Sequence, residues 1–348
     1  MYNPIFNYTD KLVDSLIKLE SHKTTLQNLD LTYNIRSKLT AHTRVLDLFH
    51  LAHILNLDLT IKDVERLANG IKPDDIDEVR KNILVNYKNT IDFNRSSLAD
   101  SYAELDLSIL KHLNKLLIVQ WRENWDARLR NLNDKIDDRW DNYVDLRDPN
   151  IASHEIDSAV EDLVDWYLNS MIVITPVVRI GVLIFRLMEI SPYIAGNKLT
   201  IAALLDYLLL KQGMSSKIYT STLKFLENSE KKLMASFDLS RRSHDLSLWL
   251  ENFTDGLVRE LVTVREDIDR FIIEDEKSKK QPFLDLNKRQ LKVLKYLQTV
   301  PTIKREDYCH MMDVSTMTAF RDMKDLVRKK LIKTEGKGRG TKYKLASM

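Results

Sequence analysis

The chain has a single cysteine, Cys309, among 348 residues. One thiol excludes an intrachain disulfide framework and a cysteine-rich zinc site. Glycine and proline are also scarce, at eight and seven residues. With so few turn-formers, the sequence predicts long helices joined by short connections. No basic region followed by an apolar run stands at Met1-Tyr2-Asn3-Pro4-Ile5, so no signal peptide is expected. No apolar run is long and clean enough to span a membrane. The most apolar stretch, residues 171–190, is broken by Pro176, Arg179, Arg186 and Glu189, and predicts a buried helix. A cytoplasmic protein without membrane contact is the expectation.

Histidine numbers eight. His50 and His53 are spaced i, i+3 and share a helix face, a spacing that suits a metal. No nearby acidic or cysteine partner completes a ligand set. The pair therefore reads as two semi-exposed helix histidines, with no metal and no cofactor expected.

Charge is present but unevenly placed. The net +2 of the whole chain conceals 16 Lys and Arg against 6 Asp and Glu in residues 286–346, a net of +10, which leaves −8 for the remainder. A small basic module on an acidic body points to a polyanionic partner for the module.

Helical patterns fill most of the chain. One or two amphipathic helices are expected over residues 1–37, an apolar one over 43–56, and others over 76–92, 104–122 and 154–173. Thr60 and Asp63 form a near capping box for a helix ending by Gly70. Thr175-Pro176 opens a helix to about Ile190, with Thr as cap and Pro at the first helical position. After a short loop, residues 191–197, comes a helix over 198–212, then helices from about 218 to 275. The organisation expected is an N-terminal helical region at 1–95, a helical core at 96–275, a polar linker at 276–285 and a basic module at 286–348.

Within that module, an amphipathic helix at 287–299 should turn Leu291, Leu294 and Leu297 inward. Thr302 is expected to cap a second helix ending at Met312. After a short turn, a third helix can dock through Val314, Ala319, Met323, Leu326 and Val327. Helix, turn, helix is a DNA-binding order. Ser315, Thr316, Thr318, Arg321 and Lys324 are left for the outer face, where hydroxyls fit close to phosphates and long cations reach base edges or phosphates. Residues 331–334 and 341–345 alternate like strands around Gly336-Lys337-Gly338-Arg339-Gly340. Strand, basic glycine-spaced turn and strand make a wing, so Lys337, Arg339 and Lys342 join the expected DNA contacts. Winged helices also bind proteins, but a net charge of +10 favours double-stranded DNA. Cys309 is expected in the module's core.

Between the two central helices lies Ile190-Ser191-Pro192-Tyr193-Ile194-Ala195-Gly196-Asn197-Lys198-Leu199-Thr200-Ile201-Ala202. This resembles the signature loop of the Fic (filamentation induced by cAMP) family, His-Pro-Phe-x-Asp/Glu-Gly-Asn-Gly-Arg-x-x-Arg. Pro192, Gly196 and Asn197 match, and Tyr193 replaces Phe. The helix from Thr175 and the stretch from Ser243 to Leu250 also resemble family segments, as does a C-terminal winged helix. The resemblance covers residues 40–346. It implies a mainly α fold: a Fic-like helical body followed by a small α/β winged helix.

Family members usually transfer AMP from ATP to a protein hydroxyl. The resemblance puts Ser191 in place of the general-base His and Ala195 in place of the acid that holds Mg²⁺. Leu199 and Ala202 stand for the two phosphate-binding arginines. Loss of the base alone typically costs ~10²–10⁴ in rate, and without metal or cationic clamps the transfer lacks its electrostatic stabilisation. No enzyme activity is therefore expected. Gly196, Asn197 and Lys198 could still hold an anion at a helix N-terminus. Leu55 stands where the family's inhibitory helix places a Glu.

Three functions compete. The first is a DNA-binding transcriptional regulator, a homodimer whose inactive body dimerises, senses or docks a partner. The second is an enzyme with altered chemistry that works through Lys198. The third is an architectural subunit of a nucleoprotein complex that binds another protein, with Trp121, Trp125 and Trp140 as interface candidates.

Overall fold

A computed structural model describes residues 2–70, 76–96, 105–119, 126–131, 134, 155–213, 219–280, 286–336 and 341–346. The chain divides into two compact units, Met1–Phe271 and Ile272–Met348.

The first unit is helical: α1 (Asp10–Gln27), α2 (Tyr33–Ile54), α3 (Ile61–Ala68), α4 (Glu78–Ser96), α5 (Leu107–Ile118), α6 (Ile156–Asn169), α7 (Pro176–Ile190), α8 (Asn197–Lys211), α9 (Thr222–Ser243) and α10 (Ser247–Lys280). Side-chain caps set several starts. Thr9, Thr32, Asp106 and Ser221 each accept a backbone N–H of the first turn, and such a cap contributes about 1 kcal/mol. The capping box expected at Thr60 and Asp63 is present, with both reciprocal bonds made. Thr175 occupies its expected cap position, yet its hydroxyl makes no capping bond, and Pro176 alone marks the start.

Helices α7 and α8 are the centre of this unit. Only Pro176 and Arg186 of α7, and Lys198 and Lys211 of α8, escape burial. A helix apolar all round must be covered on every side, and α4, α5, α6 and α9 pack against this pair. Helix α10 crosses α7 at Gly181, where an added Cβ would stand 2.8 Å from Leu250 and 3.2 Å from Phe253. The Trp249 indole donates to the Gly181 carbonyl there at 2.9 Å. Among the described residues, no helix is long and apolar enough to cross a membrane.

The core also holds carboxyls. Asp47 accepts from the Ser221 hydroxyl at 2.7 Å, and Asp206 accepts from Asn94 at 2.9 Å and from Thr222 at 3.2 Å. Burial raises both above the usual carboxylate range, and the nearness of Asp206 raises Asp47 further. Glu260 is pushed up to about 7 by burial, against the pull of Lys224 at 3.7 Å.

The second unit contains α11 (Lys288–Thr299), α12 (Arg305–Met312), α13 (Thr316–Arg328) and the strands β1 (Ile303–Lys304), β2 (Ile332–Glu335) and β3 (Lys342–Leu345). The strands form one antiparallel sheet in the order β1-β3-β2, with Ile303 opposite Tyr343 and Ile332 opposite Leu345. Val293, Leu297, Tyr308, Ala319, Met323, Leu326 and Ile332 fill its core. The expected mainly α fold with a small α/β unit is the fold observed.

Three local expectations need correction. Leu291 is 48% exposed, whereas Val293 is fully buried. The inward face of α11 thus runs through Gln290, Val293, Leu294 and Leu297: the predicted Leu294 and Leu297 face inward, and Leu291 does not. Thr302 does not cap α12, because β1 intervenes and Lys304 holds the cap position, its N–H bonded to Asp307 at 3.0 Å. Helix α10 continues to Lys280, so the first five residues of the expected linker are helical; residues 281–285 lie outside the described ones.

The raised Glu260 binds its proton more tightly folded than unfolded. Its contribution is complete below pH 4.5 and is lost as pH rises through about 7. Chemical denaturation from pH 4.5 to 7.5 should show unfolding free energy declining over that window, and Glu260→Gln should flatten the decline. An unchanged slope in the variant would place the titration elsewhere.

Candidate functional site

The residues singled out by the sequence fall in two places: the loop joining α7 to α8, and the outer face of α13 with its following strands.

The loop turns at both ends through left-handed backbone, at Ser191 (φ 43°) and Gly196 (φ 72°). Every residue from Ser191 to Asn197 is buried. Its backbone polar groups therefore need protein partners. The Arg130 guanidinium donates to the carbonyls of Ser191 and Ile190 at 2.8 and 3.0 Å, and the Arg130 N–H donates to Pro192 at 2.9 Å. Asn114 donates to the Ala195 carbonyl at 3.0 Å. Asn197 closes the turn on itself: its carbonyl oxygen accepts from the Tyr193 N–H, and its amide donates to the Tyr193 carbonyl, both at 2.8 Å. The Ser191 hydroxyl donates to the Met188 carbonyl at 2.9 Å.

These bonds bear on the anion site expected at Gly196, Asn197 and Lys198. Both ends of the Asn197 side chain are engaged. A Cβ added to Gly196 would stand 2.4 Å from the Ile118 side chain, which fills the space beside the turn. Lys198, the third residue of that expectation, is half-buried and borders the cavity beside α8.

Leu199 and Ala202 line a cavity of about 110 Å³ with Leu223, Trp249 and Phe253, while Lys198, Glu227 and Glu230 also border it. Ala195 is fully buried and offers no side-chain oxygen. Among the described residues, the side chains at Ala195, Leu199 and Ala202 offer neither an oxygen for magnesium nor a cation for phosphate.

Gly196→Ala should combine left-handed strain with the Ile118 clash and destabilise the first unit by about 2–4 kcal/mol. Adding Ile118→Val should recover part of that loss, as read by urea unfolding. Equal stability of the single and double variants would mean that the contact with Ile118 is not what constrains the turn.

In the second unit, α13 sorts its residues as the sequence predicted. Ala319, Met323 and Leu326 are buried, and Val314 and Val327 pack against the core. Thr316, Arg321 and Lys324 are exposed. Ser315 is exposed but also serves as the N-cap, accepting from the Thr318 N–H at 3.3 Å, and its hydroxyl lies 3.0 Å from that of half-buried Thr318. Lys342 is exposed on β3. Lys337 and Arg339 lie outside the described residues, as do Trp121, Trp125 and Trp140.

Sequence reasoning missed three residues of this face. Met317 is 61% and Phe320 39% exposed. The Arg305 guanidinium sits 5.1 Å from the Phe320 ring centre and the Lys324 ammonium 5.8 Å from it, both within cation–π range. A helical wheel begun at Ala319 would have put Met317 and Phe320 outward. Arg305 belongs to another helix and carried no such signal.

Asp322 is the most heavily bonded carboxylate of α13, and Asp325 adds a further tie by accepting from Gln290 of α11 at 3.0 Å. Asp322 accepts from Tyr308 at 2.9 Å, Asn287 at 2.9 Å and Arg289 at 2.8 Å, so α13 is tied to α12, to α11 and to the residue that caps α11. Burial alone would raise Asp322, but these donors outweigh it and hold the carboxyl below its usual range. The same contact and burial push the Tyr308 hydroxyl up. Asp322→Ala leaves three donors without their acceptor and should destabilise the second unit by about 2–3 kcal/mol at neutral pH. Hydrogen exchange confined to residues 286–346 would show it. Unaltered protection there would mean that α13 docks without help from the Asp322 carboxylate.

The structure also changes the reading of the histidines. Glu227, on α9, reaches His50 and His53 on α2. It is bonded to His50 Nδ1 and lies 3.4 Å from His53 Nδ1. The acidic partner that the local sequence lacked arrives from 177 positions away.

Comparison with solved structures places this architecture. A Fic family protein from Desulfovibrio desulfuricans G20 matches 100% of this chain and 99% of its own, at 15% identity and a TM-score of 0.61. Fic-1 from C. elegans (residues 134–508, E274G) matches 75% of this chain and 71% of its own, at 14% identity and a TM-score of 0.57. A Fic domain containing signaling protein from Bacteroides thetaiotaomicron VPI-5482 matches 75% of this chain and 98% of its own, at 15% identity and a TM-score of 0.54. No sequence family profile and no curated protein matches the chain. The fold of the helical body is therefore Fic-like.

Proposed function

We propose that this chain is a DNA-binding protein, a transcriptional regulator, whose Fic-like body transfers no nucleotide and instead serves dimerisation, sensing or partner docking. The observation that carries the reading is the outer face of α13. Thr316, Arg321 and Lys324 are exposed on a helix whose other side is locked into the core. Arg321 and Lys324 are long enough to reach base edges or phosphates, and Met317 and Phe320 offer apolar surface for a thymine methyl. Lys342 on β3, with Lys337 and Arg339 preceding it in the sequence, adds positive charge suited to a phosphate backbone. A homodimer would pair two such helices on a palindromic site.

The absence of transfer chemistry in the body rests on the same kind of detail. The hydroxyl of Ser191 is bonded to a backbone carbonyl, and Leu199 and Ala202 face an apolar cavity. None of these groups can take a proton or clamp a phosphate.

Binding of the full chain to a genomic duplex library over 50–200 mM salt should enrich a defined site. Affinity should fall roughly 10³-fold across that range if about six phosphates are contacted. Arg321→Ala should lose discrimination among sites by about 10-fold or more, whereas Lys337→Ala with Arg339→Ala should weaken all sites alike. Labelled ATP should leave no label on the chain or on co-purifying proteins. Binding that ignores salt, or none, would overturn the DNA reading, and label transfer would overturn the inactive body.

A further inference from the structure

We infer that His50, His53 and Glu227 form a binding site for a divalent transition-metal ion of the zinc class, which joins α2 to α9. The inference does not depend on DNA binding.

The three side chains have the chemistry and spacing that such an ion needs. Their donor atoms, two imidazole nitrogens and a carboxylate oxygen, all lie within 4.8 Å of one another. Donors around a tetrahedral ion at about 2.0–2.1 Å stand roughly 3.3 Å apart. The His53 nitrogen and the Glu227 oxygen are 3.4 Å apart, with His50 in contact with the other oxygen of the same carboxylate. Small side-chain rotations, with no backbone movement, would close the triad on an ion.

The positions are held in advance. His50 and His53 stand one turn apart on one face of α2, and α2 packs directly on α9. The Phe49 ring lies 4.3 Å from the His53 ring and 5.7 Å from that of His50.

The site has an open side. The His50 side chain is 14% exposed, but His53 is 43% and Glu227 30% exposed. Three protein ligands with solvent access leave a coordination position for water or a ligand atom, unlike closed four-ligand structural sites. Glu227 also borders the apolar cavity next to Lys198 and Ile54, so the ion would fix one edge of that cavity.

An ordinary ion pair between Glu227 and the histidines is the competing account, and titration separates the two. The full chain, prepared without a histidine tag and stripped with EDTA, is titrated with zinc chloride by calorimetry. Cobalt chloride then supplies the absorption signature of tetrahedral coordination. One zinc per chain is expected, with a higher thermal midpoint in its presence. His53→Ala and Glu227→Ala should each weaken zinc by about 100-fold or more and abolish the thermal shift. His53 is exposed, so the first variant should keep the fold, and the far-ultraviolet spectrum checks that. His310→Ala, in the second unit, should bind zinc like the parent. The inference is overturned if the stripped chain takes up no zinc, if His53→Ala and Glu227→Ala retain the parent affinity, or if His310→Ala loses zinc as they do.

Discussion

A chain that turns between two wholly buried helices has to bond its own backbone, because water cannot reach it. The loop between α7 and α8 meets that requirement with three side chains. Arg130 and Asn114 come from outside the loop, and Asn197 comes from within it. The two helices around which the first unit is built meet at this turn, so its bonding also sets their packing. A buried loop of this kind is a scaffold. Its Gly196 and Asn197 serve the conformation of the turn, one through left-handed backbone and the other through paired bonds to Tyr193.

That explains which features were legible from residues alone. Long helices, the Thr60 capping box, the strand segments near 332–335 and 342–345 and the inward side of α13 follow from periodicity and local chemistry, and these held. What failed depended on distant partners. The register of α11 is fixed by how it meets α13 and β3, so Val293 faces inward where Leu291 was expected. A two-residue strand such as β1 has too little sequence to announce itself, and it displaced the Thr302 cap. The packing of Ile118, from α5, against the Gly196 turn likewise has no local signal. Glu227 was invisible as a partner of the histidines because only tertiary packing brings α9 to α2.

The two units differ in how they use charge. In the first, carboxyls such as Asp47, Asp206 and Glu260 are buried among hydroxyls and amides, and burial raises them. In the second, Asp322 is buried too, but Arg289 and Tyr308 reverse the effect. The first arrangement strains the ionised form, whereas the second depends on it. Raising the pH through neutrality therefore acts on the body while leaving the Asp322 anchor ionised and intact.

Helix α13 places Arg321 in solvent and Asp322, the very next residue, in the core. The residues that hold the helix and the residues that would meet a partner are interleaved along one chain, and Ser315, at its start, is both the cap and exposed. Changes at Thr316, Arg321 or Lys324 leave the anchor untouched. Duplicated copies of such a gene could acquire different target preferences by drift on the outer side alone, each inheriting the same folded frame.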